Sequence, residues 1–206
     1  GSITQLMKDV CETKGVEIST NAAVEKVLIK NNKAIGVMLE DGSEVFADKV
    51  ISNLNPKLLF KKLVDKDDVN QEYRRKILNY KCGSGTFRMN VALSELPDFN
   101  CLPGKEICEH HKSGIVIAPS LTYMDQAFTD AKQYGWSKNP IVEMLIPSTV
   151  DSTLAPEGKH VASLFCQQFA PTLPDDRCWH NEKDNAANTI IETVNRFAPN
   201  FKNSIL

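Results

Sequence analysis

Two short turn signals, placed ten residues apart, constrain this chain more than any other feature. Residues 15 to 56 read GVEISTNAAVEKVLIKNNKAIGVMLEDGSEVFADKVISNLNP. Val24, Val27 and Ile29 alternate with charged residues, so a half-exposed strand is expected there. Asn31-Asn32 turns the chain, and Ala34 to Glu40 returns as a second strand. Asp41-Gly42 is a hairpin signal, because both central residues of a type I′ turn need positive φ. Ser43 to Ala47 follows as a third strand. This predicts a three-stranded antiparallel meander. Val16 to Ser19 reads as a short strand before it, and the more apolar Lys49 to Ser52 as a buried strand after it.

Ahead of the meander, residues 2 to 14 predict an amphipathic helix with Ile3, Leu6, Met7 and Val10 on one face, capped by Ser2 or Thr4 and stopped by Gly15. The texture changes near residue 54. Residues 57 to 63 and 69 to 80 read as helices joined by the acidic linker Asp65-Lys66-Asp67-Asp68. Ser84 to Ser94 alternates as a long strand, residues 95 to 112 as a loop, and Ile115 to Ala118 as a short strand. Leu121 to Tyr134 is a helix ended by Gly135. Ile141 to Ile146 and His160 to Phe169 are strands. Residues 180 to 197 form a helix with Ile190, Ile191, Val194 and Phe197 on its apolar face. The expected class is α+β, divided as 1–54 and 55–206.

A net charge of -2 with Lys and Arg spread along the chain leaves no electrostatic footprint for nucleic acid. The apolar runs are too short for a transmembrane segment. The six cysteines (Cys11, Cys82, Cys101, Cys108, Cys166 and Cys178) lack a CxxC pair and read as free thiols.

Two stretches carry a resemblance. Residues 15 to 56 resemble the part of phytoene-desaturase-like FAD oxidoreductases that rebuilds the flavin domain after its middle insertion. Residues 141 to 169, IVEMLIPSTVDSTLAPEGKHVASLFCQQF, and 196 to 206, RFAPNFKNSIL, are similar to the subgroup typified by pyridine nucleotide-disulphide oxidoreductase domain-containing protein 2. That subgroup has a strand ending in IPS, a D-x-T-L-A-P-x-G loop, a strand ending in SLF and a later APxFK. The resemblance implies that the chain is the central section of a longer enzyme. Residues 1–54 would be a partial FAD-binding segment. Residues 55–206 would be a substrate domain with a mixed or antiparallel sheet flanked by helices.

The family's GxGxxG loop is not found in these residues. The tight cluster Gly83-Ser84-Gly85 lacks the third glycine and a preceding parallel strand. The implied cofactor is FAD, held by the complete enzyme and not retained by this segment alone. The implied activity is hydride removal from a hydrophobic small-molecule substrate. The alternative is a non-catalytic module that holds a lipid or quinone or docks a protein partner. Peripheral membrane contact stays open, and exposed edges of the flavin segment could pair two copies into a homo-oligomer. It places relatives in the cytoplasm in bacteria and in the mitochondrial matrix in animals.

By the same resemblance, Val24 would set its backbone against the adenine, and Ser52 and Asn53 would end a buried strand beside the flavin crevice. Arg88 and Asn90 lie two apart on one strand face, where they could fix a polar end of an apolar substrate; a solvated outer face is the competing reading. Cys108, His110 and His111, with Cys101, tempt a metal reading. C-x-H-H fits no standard zinc spacing, because adjacent histidines on a strand point apart. Asp175, Asp176 and His180 read as helix-capping residues. No nucleophile–base pair stands out, which suits an enzyme whose cofactor carries the chemistry.

Overall fold

The structure is a computed structural model, and it describes residues 2–83, 85–104 and 106–206. The chain forms two compact units, the first ending at Lys81 and the second running Cys82–Leu206. Both are mixed α+β with antiparallel sheets. The composition change near residue 54 lies inside the first unit.

In the first unit, α1 (Ser2–Thr13) ends as its sequence requires. Gly15 takes φ 80°, Val16 N–H donates to Cys11 C=O, and Gly15 N–H donates to Glu12 C=O. This paired Schellman arrangement satisfies two end carbonyls, and glycine adopts that φ without Cβ strain. The expected apolar face forms but stays open: Ile3 is 79% exposed and Leu6 64%.

The meander is β1 (Val24–Lys30), β2 (Lys33–Leu39) and β3 (Glu44–Phe46), in the order β1-β2-β3. The type I′ turn falls at Asn31-Asn32, where both residues have positive φ (52° and 58°) between paired Lys30 and Lys33. At Asp41-Gly42 only Gly42 is left-handed, at φ 83°. There Gly42 N–H donates to Leu39 C=O, and Leu39 N–H donates to Ser43 C=O. That is a three-residue loop closed by a bulge glycine. The Asp41 carboxylate accepts from Ser43 N–H and Oγ–H, which holds its pKa below the ordinary value.

Two expected strands are corrected. Val16–Ser19 and Lys49–Ser52 have no ladder partner among the described residues, and Ile51 is 94% exposed instead of buried. A strand exists only by pairing, so apolar β-branched sequence is not enough.

After Asn55 caps it and Pro56 opens it, α2 (Pro56–Leu58) widens into a π turn over Leu59–Leu63. Lys66–Asp68 adds a 3₁₀ turn, and α3 (Gln71–Asn79) follows with Asn70 as its cap. Phe60 and Tyr73 pack edge to face at 5.4 Å.

The second unit is a four-stranded antiparallel sheet of order β4-β7-β6-β5. Its strands are β4 (Gly85–Leu93), β5 (Ile115–Ile117), β6 (Trp136–Leu145) and β7 (His160–Phe169). Ser84, predicted to start the first of these and to centre the Gly83–Gly85 cluster, lies outside the described residues. β6 begins five residues earlier than its apolar run, because Trp136 pairs with Phe169.

The alternation in these strands sends Leu93, Val142, Met144, Ala162, Leu164 and Cys166 to one face. There they pack with Ala186, Ile190 and Val194 of α5 (Trp179–Phe197). The i, i+4, i+8 spacing of those three helix residues makes the stripe that covers the sheet. Burial pushes the Cys166 thiol up to about 12, so it packs as a hydrophobe. All six thiols stand free.

α4 (Leu121–Tyr134) lies along β6 and ends at Gly135, whose φ of 96° suits a residue without Cβ. Asp175 and Asp176 do not cap α5. They sit at φ 57° and 54° in the preceding turn, and Cys178 occupies the cap position. The chain closes with α6 (Phe201–Ser204), whose Phe201 is fully buried.

Candidate functional site

In the first unit, Val24, Ser52 and Asn53 come together. They line one open cavity of about 610 Å³ whose walls are mainly Val27, Val37, Val50, Leu58 and Leu63. Val24 reaches it from the start of β1, where a register shift follows between Val24 and Lys26. Ser52 and Asn53 reach it from the unpaired segment after the meander. Ser52 Oγ accepts from Leu54 N–H at 3.3 Å, which uses one lone pair of the hydroxyl and not its O–H donor. The polar rim is Glu25, Glu40 and Lys62. Apolar walls with a few polar groups are the usual lining of a small-molecule cleft.

In the second unit, Arg88 and Asn90 stand together on the sheet face opposite the core, as the alternation of β4 dictates. The register completes that face. Arg88 pairs with Phe165 and Phe165 with Glu143, while Asn90 pairs with Ser163 and Ser163 with Leu145. Arg88, Glu143, Leu145, Ser163 and Phe165 line a depression of about 210 Å³. Arg88 Nη2 donates to Ser163 Oγ at 3.0 Å. Glu143 and Ser163 were missed in the sequence. The available signal was the polar residue at alternate positions of otherwise apolar strands, Glu143 between Val142 and Met144 and Ser163 between Ala162 and Leu164.

Cys108, His110 and His111 do converge, with potential ligand atoms within 4.8 Å of one another. Residues 109–112 form a 3₁₀ turn, not a strand, so the two imidazoles lie with centroids 3.9 Å apart, tilted by 43°, instead of pointing apart. The turn uses His111 completely: Nδ1 accepts from Cys108 N–H at 3.1 Å, and Nε2 faces Pro97 C=O at 3.0 Å. That leaves Cys108 and His110 as donors, short of the three protein ligands a zinc site requires. Through these contacts His111 ties the 109–112 turn to Pro97. His110 Nε2 is buried without a hydrogen-bond partner.

Burial, then the neighbouring His111, lowers the pKa of both His110 and His160 below 6.5. A depressed histidine is neutral in the fold and must gain charge as the pH falls. Its contribution is therefore complete above about 6.5 and is lost below it. Thermal midpoints are expected to hold from pH 8 to about 6.5 and then decline. The lowered carboxylates Asp41, Asp65 and Asp151 act only at more acidic pH. His110→Phe should flatten part of the decline, and an unchanged pH profile in that variant would exclude His110 as a source.

Residues 1–86 match the model of the family of flavin containing amine oxidoreductases. The chain is similar to phytoene-desaturase-like flavin oxidoreductases. Mouse pyridine nucleotide-disulfide oxidoreductase domain-containing protein 2 is 33% identical over all of this chain and 36% of its own length. The chloroplastic prolycopene isomerase of Daucus carota is 23% identical over all of this chain and 31% of its own length. An oxidoreductase structure from Methanosarcina mazei superposes with a TM-score of 0.62 at 19% identity, covering 93% of this chain and 37% of that one, which bears on the fold alone. The chain thus spans about a third of the length of these relatives. The similarity runs through both units, because the mouse relative aligns across the whole chain, whereas the family model covers the first unit and the start of β4.

Proposed function

We propose that this chain belongs to an FAD-dependent oxidoreductase that takes hydride from a hydrophobic substrate. In that enzyme the first unit would contribute to the flavin domain and the second would face the substrate. The observation that carries the reading is the convergence of Val24, Ser52 and Asn53 on one apolar cavity inside the stretch that matches the flavin family.

The cavity's β-strand wall and apolar lining fit the adenine end of the cofactor. The described residues around it offer no glycine turn leading into a helix for the pyrophosphate. The complete enzyme would supply that part, so this chain alone is expected to be inactive and to hold no FAD. When bound, FAD would accept the hydride, with the matching proton leaving to solvent or a base. This chain's own residues would bind and orient. Val24 and the β1 edge would flank the ring, and Phe165, Leu145 and Val116 would form an apolar floor that excludes water from the substrate.

The visible absorption spectrum of the purified full-length protein, with this chain beside it, tests the reading. A yellow full-length protein with an oxidised-flavin spectrum and a colourless segment is the expected result. A full-length protein that is colourless and takes up no added FAD would overturn it in favour of a non-catalytic lipid- or quinone-holding module.

A further inference from the structure

We infer that the depression on the open face of the second unit's sheet receives a head group carrying both an acid and an amine. The substrate would then be amphipathic and zwitterionic at one end, not a plain hydrocarbon. The inference rests on the reading of this face as the substrate-facing one.

Arg88, Phe165 and Glu143 form one cross-strand row, so the α carbons of Arg88 and Glu143 stand about 10 Å apart, with an aromatic ring between them. Both side chains line the same depression of about 210 Å³. Among the described residues neither forms an ion pair. The guanidinium turns sideways to Ser163 Oγ instead of closing over Phe165 onto the carboxylate. That hydrogen bond occupies one donor and leaves the others of the planar fork free. The result is a cationic wall, an anionic wall and an apolar floor of Phe165 and Leu145.

Charge decides the occupant. A hydrocarbon laid over this face would strip water from two unpaired charges, which is unfavourable without compensation. A simple carboxylate would satisfy Arg88 and be repelled by Glu143, and a simple amine would meet the reverse. A head group with both charges satisfies both walls, the acid on Arg88 in a forked hydrogen-bonded contact and the amine on Glu143. The depression is large enough for a head group alone, so the rest of the molecule would extend over the apolar rows toward Val116, which is 61% exposed beside Glu143 in the register.

Calorimetric titration with four probes that share one dodecyl-length chain tests this on both the 206-residue chain and the full-length protein. The probes are 2-aminododecanoate, dodecanoate, dodecylamine and dodecanol, all below their micelle concentrations at neutral pH. The zwitterion is expected to bind at least about tenfold more tightly than any of the others, the scale of one charge-assisted hydrogen bond. Arg88→Gln should reduce its affinity to that of dodecylamine, and Glu143→Gln to that of dodecanoate. Both positions are on the open face, so neither variant should alter the fold, and circular dichroism checks this. Equal affinities for all four probes would overturn the inference, as would no binding of any of them. Tightest binding of dodecanoate with a gain on Glu143→Gln would also overturn it. The readout uses no flavin. A colourless full-length protein would therefore sink the oxidoreductase reading alone, and a yellow one with no head-group preference would sink this inference alone.

Discussion

Phe201→Ala is expected to lower the stability of the second unit by about 3–5 kcal/mol, the scale of emptying a fully buried aromatic site. Phe201 is wholly buried in the core beneath the sheet, with Leu93, Ala198 and Val194 also inaccessible around it. Its position is held by the chain's last residues acting as an extra partner for the end of β4. Ser94 N–H donates to Ser204 C=O at 2.7 Å, Leu206 N–H donates to Ala92 C=O at 3.0 Å, and Ile205 bridges Leu93. Asn200 locks the same junction, donating from Nδ2 to Glu95 Oε1 and Leu96 C=O while its Oδ1 accepts from Asp98 N–H. A domain of this size has roughly 5–15 kcal/mol in total, so the loss removes a large fraction of it. Urea unfolding followed by the fluorescence of Trp136 and Trp179 measures it. Ile3→Ser, on an open helix face, is the control and should stay within about 0.5 kcal/mol. A loss below about 1 kcal/mol for Phe201→Ala would mean that the C-terminal segment packs loosely, against the burial described here.

Gly36→Val should break the meander. Gly36 sits in mid-β2 opposite Phe46, and a Cβ there would lie 2.3 Å from Val45 O and 2.9 Å from Phe46 Cα. Both are backbone atoms, so no side chain can move aside, and β3 must leave the ladder. Overpacking that forces side chains and backbone to shift costs about 1–3 kcal/mol, occasionally more. The first unit should loosen, and because both tryptophans lie beyond Lys81 their emission reports on the second unit alone. Amide exchange across residues 33–46 is expected to accelerate with tryptophan emission unchanged. Native-like protection in that stretch would contradict the close approach of β2 and β3. The cavity shares Val27 and Val37 with the meander, so its shape should change in the same variant.

What could be read from residues alone was what local chemistry dictates. Asparagine pairs and Asp-Gly mark turns because they tolerate left-handed backbone, Gly15 ends a helix for the same reason, and period-two alternation separates Arg88 and Asn90 from the core. The apolar stripe of α5 was legible because 3.6-residue periodicity is local too. The motifs resembling flavin oxidoreductases were legible for a different reason, since they are patterns shared with relatives and not physical deductions.

Only the tertiary structure decided the rest. Whether Asp41-Gly42 closes as a two- or three-residue loop depends on the register against β2. Whether Lys49–Ser52 becomes a strand depends on a partner, and none is present among the described residues. Residues far apart in the chain meet only through pairing: Arg88 reaches Ser163 and shares its depression with Glu143 because β7 lies between β4 and β6. The histidines at 110 and 111 come side by side because residues 109–112 close a 3₁₀ turn against Pro97. Turn and helix preferences are set within a few residues, whereas a site made of several strands exists only once long-range pairing has chosen its neighbours.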